Sequence, residues 1–217
     1  ALVAGLLTLT NFEVHRAGVN CRVDMLLTAC MVGALYLLYL GHEKRKTAYY
    51  LLALLCMSGA MLTKGPVGIL LPCMVGFAYE LCQKERFARV LLRYIALGLG
   101  ALVIPMMWYV AAYQEGGQKF FDLVWEENVL RFTGKMSYGS HENPPIYNVM
   151  TILTGMLPYT LLVLIGLVSI HLRHARNTLS KTWWKEQWHR LKAMDSLRLF
   201  TLLSFVIIFV FYCIPKS

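Results

Sequence analysis

The apolar residues of this chain gather into seven blocks, at 1–12, 23–41, 47–63, 66–82, 94–113, 149–171 and 199–214. A helix needs about 20 apolar residues to cross the hydrocarbon of a bilayer, and short or tilted helices depart from that by a few. In lipid, only structures that satisfy every backbone polar group internally are stable. The blocks therefore predict an all-α, polytopic membrane helix bundle with about seven membrane segments. Composition agrees: 58% of the residues are hydrophobic and 15% charged, against about half and a quarter in soluble domains.

The net charge of +9 raises nucleic acid as a partner, because a basic surface attracts phosphate. Its distribution points elsewhere. Fourteen of the 21 Lys and Arg lie in three connections, "HEKRK" at 42–46, "QKERFARVLLR" at 83–93 and the long segment 172–198. The other connections balance Arg16, Arg22, Lys64, Lys119, Arg131, Lys135 and Lys216 with seven acids. If each block crosses once, the basic segments share one side, which the positive-inside pattern assigns to the cytoplasm. The charge reports topology, and no nucleic-acid partner is expected.

The chain opens on "ALV", without an initiator Met or the charged region that precedes a signal-peptide core, and it stops at "FYCIPKS" just past a block. Both ends read as cuts. Residues 1–217 are accordingly expected to be part of one transmembrane domain whose first span, first loop and C-terminal part lie outside this sequence. The six cysteines sit mostly inside the apolar blocks with no CxxC spacing, so neither a zinc site nor a disulfide framework is indicated.

Blocks 47–63 and 66–82 are separated only by "KGP". This predicts a helical hairpin with a tight turn, Pro66 starting the second helix and Gly65 relaxing the backbone before it. Lys64 then sits at the extracytoplasmic surface, either as a lysine snorkelling to the headgroups or as an anion ligand beside the N–H groups of the next helix. "LSKTWWKEQWHRLKAM" spaces Trp184, Trp188 and Leu191 as an interfacial helix with a basic face, suited to anionic membrane lipids. Segment 114–148 begins with a Gly-Gly break. It continues as an amphipathic helix carrying Glu126, Glu127, Asn128 and Arg131, and ends in a Gly/Ser/Asn/Pro-rich loop that includes His141.

On this topology Glu13, His15, Arg16, Arg22, Asp24, Lys64, segment 114–148 and Lys216 all lie at the outer face. The span interiors read as nearly free of charge, unlike transporters and channels. Carboxylates beside Lys and Arg suit a phosphate-bearing substrate and a hydroxyl or amine acceptor. The cations would neutralise phosphate, and a carboxylate would accept the acceptor's proton. No Ser or Cys is paired with His at a recognisable spacing, and no Gly-rich nucleotide loop is present.

The segments "RVDMLLTACMV", "GAMLTKGPVGILLP", "FFDLVWEENVLRF", "NPPIYNVMTILTGMLPYTLL" and "FYCIPKS" follow in this order from about residue 20 to the end. In that order the chain resembles bacterial membrane glycosyltransferases of the dolichyl-phosphate-mannose protein mannosyltransferase type, with the aminoarabinose transferases that modify lipid A as the nearest relatives. The resemblance implies a GT-C fold in the bacterial cytoplasmic membrane. It also implies a polyprenyl-phosphate sugar donor, a lipid or protein acceptor, and transfer with inversion on the outer side. Asp24 matches a family Asp that opens a span and is the implied catalytic residue. Arg22, Lys64, Arg131 and Lys216 are the implied donor-phosphate ligands, and Glu127, Asn128 and His141 the implied substrate ligands. Asn128 stands where the aminoarabinose transferases commonly have His, which argues against a metal role there and against assuming the same substrate. The cofactor requirement, a divalent metal ion included, stays open. The competing reading is a non-catalytic polyprenyl-lipid-binding component, such as a flippase subunit or an assembly factor. The first loop would separate the two, since the family carries a catalytic acid there.

Overall fold

The computed structural model describes residues 2–20, 22–130, 145–174 and 194–214. These are helical: α1 (Leu2–Leu9), α2 (Phe12–Val19), α3 (Val23–Lys44), α4 (Thr47–Lys64), α5 (Val67–Cys82), α6 (Phe87–Trp125), a π-helical turn (Glu126–Leu130), α7 (Pro145–Gly155), α8 (Tyr159–His174) and α9 (Ser196–Cys213). The predicted all-α membrane bundle is observed. Among the described residues four helices, α3, α4, α6 and α9, are long and apolar enough to cross a membrane, and the bent pair within 149–166 makes a fifth if it crosses as one span.

The remaining blocks take other forms. The 66–82 block is the 16-residue α5, shorter than a full span. The 149–171 block is a pair of helices bent by 114° around residues 156–158. The first block yields the eight-residue α1, closed off where Asn11 caps the next helix by accepting from Glu13 N and Val14 N. The basic amphipathic helix expected over "LSKTWWKEQWHRLKAM", residues 179–194, lies outside the described residues apart from Met194.

The chain divides into two compact units. One contains residues 1–21 and 146–199. In it Phe12 N donates to Leu157 O at 3.3 Å, the hydroxyls of Thr10 and Tyr159 are hydrogen-bonded, and Thr160 Oγ1 donates to Leu153 O at 2.5 Å.

The other unit contains residues 22–145 and 200–217. Here α3, α4, α5 and α6 pack through small residues: Ala34, Ala53, Ala60 and Ala101 are all fully buried. Apolar helices gain little by associating in lipid, so close backbone approach and interhelical hydrogen bonds carry the packing. Gly68 permits such an approach, since a Cβ there would come within 2.6 Å of Met61 N on α4. Ser58 Oγ donates to Ala101 O of α6 at 2.8 Å. Large apolar side chains such as Val32, Leu55, Leu92 and Phe205 remain exposed, as lipid-facing positions require.

The successive helices alternate direction. The ends formed by residues 42–47 and 80–94 make one pole of this unit, and those formed by residues 22–24 and 63–67 make the other. The first pole corrects the reading that the spans are nearly free of charge. Glu80 on α5 is fully buried, bonded to Arg93 Nη1 at 2.5 Å and accepting from Tyr50 Oη at 3.0 Å and Tyr94 Oη at 3.1 Å. His42 Nδ1 stands 3.7 Å from the same carboxylate. A buried charge of this kind is stable only when paired and hydrogen-bonded.

Candidate functional site

At the opposite pole Asp24 lies in the first turn of α3. There the unpaired N–H groups and the positive end of the helix dipole favour a carboxylate. Arg22 occupies the N-cap of the same helix in an extended conformation, exposed and making no side-chain cap bond. Lys64, the last residue of α4, reaches across so that its Nζ donates to Asp24 Oδ1 at 2.5 Å. Both side chains of this pair are 51% exposed. A screened pair of that kind is worth about 1 kcal/mol or less to the fold. The charges are thus held ready at the surface at little benefit to stability.

The turn that positions Lys64 follows from its sequence. Gly65 takes φ 80° and ψ −158°, a region essentially restricted to glycine, and its N–H donates to Met61 O at 2.8 Å. Pro66 follows with φ −57° as the N-cap of α5. The hairpin read from "KGP" is therefore present, and Lys64 stands beside a helix N-terminus as expected.

Two further elements converge on this turn. Helix α6 breaks at Gly117, where φ is 56°, at the predicted Gly-Gly position, and its continuation ends in the π turn that carries Glu127 and Asn128. Such turns inside helices are often found at functional sites. Asn128 Nδ2 donates to Val124 O at 2.9 Å, while its Oδ1 lies directly against the Gly65 backbone. Glu127 is half-buried in the same turn. From α9, Tyr212 comes close enough to Asp24 to feel its charge. Sequence reasoning marked "FYCIPKS" as a motif but did not single out Tyr212. An aromatic hydroxyl in the last turn of an apolar helix was the available signal.

Asp24, Lys64, Gly65, Asn128 and Tyr212 thus gather from four separate elements. Of the other predicted residues, Arg131, His141 and Lys216 lie outside the described ones. Glu13, His15 and Arg16 belong to the other unit. There Arg16 clamps Glu13 through Nη2 at 2.7 Å and Nε at 3.0 Å, and this bond raises the guanidinium pKa. Among the described residues, no group of three or more His, Cys, Asp or Glu is arranged to hold a metal ion. What the cluster supplies is an ammonium for an anion and a carboxylate for a proton, side by side at two helix N-termini.

Comparison with known proteins gives a consistent picture. Over its whole length the chain is 28% identical to the undecaprenyl phosphate-alpha-4-amino-4-deoxy-L-arabinose arabinosyl transferase 2 of Proteus mirabilis, covering 36% of that protein. The undecaprenyl phosphate-alpha-4-amino-4-deoxy-L-arabinose arabinosyl transferase of Edwardsiella ictaluri is 27% identical over 73% of the chain and 29% of its own length. The one from Pseudomonas aeruginosa is 31% identical over 67% of the chain and 25% of its own length. The chain therefore spans between a quarter and just over a third of the length of these relatives. No solved structure matches. The family model described as dolichyl-phosphate-mannose-protein mannosyltransferase matches residues 1–110, which hold Asp24, Lys64 and Gly65. With half of its residues matched, the chain belongs to the dolichyl-phosphate-mannose-protein mannosyltransferase family.

Proposed function

We propose that this protein is part of an integral membrane glycosyltransferase. It takes a sugar from a polyprenyl-phosphate donor and passes it, with inversion, to a lipid or protein acceptor at the extracytoplasmic face of the bacterial cytoplasmic membrane. The observation that carries this reading is the exposed Asp24–Lys64 pair, seated between two helix N-termini. The orientation rests on the sequence's three basic connections sharing one side, two of which, 42–46 and 83–93, lie at the other pole of this unit. The donor class rests on the relatives, whose names specify an undecaprenyl phosphate-linked sugar.

In this mechanism the donor phosphate competes with Asp24 for Lys64. Arrival of the phosphate draws the ammonium away, with Arg22, Arg131 and Lys216 as further cations, and the freed carboxylate turns to the acceptor hydroxyl or amine. The acceptor atom then forms its bond to the anomeric carbon, while the bond from that carbon to the phosphate oxygen breaks and its electron pair leaves with the phosphate. The acceptor's proton passes to Asp24 or to an acid working with it. A single displacement of this kind inverts the anomeric centre, and the cations favour it because negative charge grows on the leaving phosphate in the transition state. Glu127, Asn128 and His141 are assigned to the substrate, Asn128 from its seat against the Gly65 turn.

The test uses the full-length protein in membranes supplied with labelled polyprenyl-phosphate sugars and candidate acceptors. Asp24→Asn abolishes transfer without affecting membrane insertion, and Lys64→Gln raises the donor KM by about 10- to 100-fold, the range for a lost charge-assisted hydrogen bond. Near wild-type turnover in Asp24→Asn would sink the catalytic role. Tight donor binding by the wild type without any transfer would favour the non-catalytic lipid-binding reading.

A further inference from the structure

The pole opposite Asp24 contains an open cavity of about 410 Å³ between α3, α4 and α6. Its polar wall is made by His42, Arg45, Thr47 and Arg93, and its apolar wall includes Leu51, Leu54 and Leu97. We infer that this cavity binds the phosphate headgroup of an anionic phospholipid, with an acyl chain running along the leucine wall.

Four observations support it. The segments forming this pole, 42–46 and 80–93, hold seven Lys and Arg against only Glu43, Glu80 and Glu85, a surplus of positive charge of the kind that attracts anionic headgroups to basic pockets between membrane helices. The guanidinium of Arg93 is fixed rather than loose: both of its bonds, to Glu80 Oε2 at 2.5 Å and Tyr50 Oη at 3.3 Å, leave from Nη1, and it lies over the Tyr50 ring at 5.3 Å. Its Nε and Nη2 donors are not spent on those bonds, and the side chain lines the cavity. Helix α4 begins at Thr47 on the cavity wall with no side-chain cap on its first N–H groups, which suits an anion. Finally, the apolar wall opens toward lipid, since Leu51 on the rim is 59% exposed. Free phosphate would have no use for that wall, whereas a phospholipid would use both halves of the cavity.

The test does not involve sugar transfer, so its failure leaves the proposed function untouched. The full-length protein is reconstituted in nanodiscs of phosphatidylglycerol and phosphatidylcholine, and the lipid retained after release is identified by native mass spectrometry. Arg45→Gln removes a cation that is itself 69% exposed while paired with Glu85 at 2.8 Å, and leaves Glu85 its second partner, Arg89. Ala96→Trp fills the cavity from an exposed position on its wall. The wild type is expected to retain phosphatidylglycerol over phosphatidylcholine. Arg45→Gln should lower that preference about fivefold, the worth of one basic residue at an anionic surface, and Ala96→Trp should remove the retained lipid. A wild type with no preference, or two variants indistinguishable from it, would overturn the inference. So would inorganic phosphate stabilising the protein against heat as well as phosphatidylglycerol does, since the site would then be one for the free anion.

Discussion

Replacing Arg93 by Met keeps the length and apolar stem of the side chain but strands the Glu80 carboxylate. That carboxylate is fully buried, and Arg93 is its close cation at 2.5 Å. The remaining partners are the hydroxyls of Tyr50 and Tyr94 at 3.0 and 3.1 Å and the more distant His42 at 3.7 Å. Neutral hydroxyls contribute about 1 kcal/mol each and do not replace a cation. Removing one member of a buried pair costs about 3–5 kcal/mol, because an uncompensated charge is left behind. Glu80→Gln is expected to cost less, about 1–3 kcal/mol. It takes the charge away from the buried side, and Arg93, 28% exposed, can turn to water. The double variant should then be more stable than the two single losses summed, by about 1–3 kcal/mol. The assay is thermal unfolding of the full-length protein in detergent with Cys82 replaced by Ser, followed by a thiol-reactive dye that reports exposure of the part-buried cysteines, Cys56 and Cys73 among them. Arg93→Met should lower the apparent Tm by on the order of 10 °C. Equal losses in the two single variants, with an additive double variant, would show that the pair is not coupled and refute the reasoning.

Two glycines offer sharper contrasts between stability and function. Gly65→Ala places a Cβ at φ 80° and against the Asn128 side chain; strain of about 1–3 kcal/mol should appear as a modest Tm loss, with a larger fall in transfer because Lys64 and Asn128 both move. Gly68→Ala drives a Cβ into the α4 backbone at Ala60 and Met61, and should cost about 1–3 kcal/mol as overpacking, read in the same thermal assay, with little change in donor KM.

Much of the fold is legible because lipid leaves few alternatives. An apolar block of span length has to be a helix, and α3, α4 and α9 follow their blocks closely. Boundaries were lost where a block carries its own break: the Asn11 cap splits the first one, and the bend at 156–158 splits another. The KGP turn was legible because its glycine has no substitute at that backbone angle. Glu80 was not. A lone Glu one turn from the end of an apolar helix looks like a boundary charge, and its partners Tyr50, Arg93 and Tyr94 sit in two other helices, so no periodicity within one helix links them to it. The resemblance implies a substrate role for Asn128, but not its place against the KGP turn. Its seat on Gly65 depends on the chain passing along α5 and α6 and through a π turn before returning to the same pole.

The two poles of the second unit put their polar residues to opposite uses. At the Glu80 pole the carboxylate is out of water and saturated with partners, and among the described residues no buried side-chain nitrogen or oxygen lacks a hydrogen bond. Such a network fixes how α3, α4, α5 and α6 meet, since each contributes a group to it. At the Asp24 pole the charges are half exposed and contribute little to folding. The backbone beneath them is nonetheless held in a glycine-only conformation that a looser turn would not need. Constraint without stability benefit, placed beneath exposed charges at two helix N-termini, is what the proposed exchange of Asp24 for a donor phosphate at Lys64 requires. The same division explains why Asp24→Asn is expected to spare the fold while Arg93→Met is not.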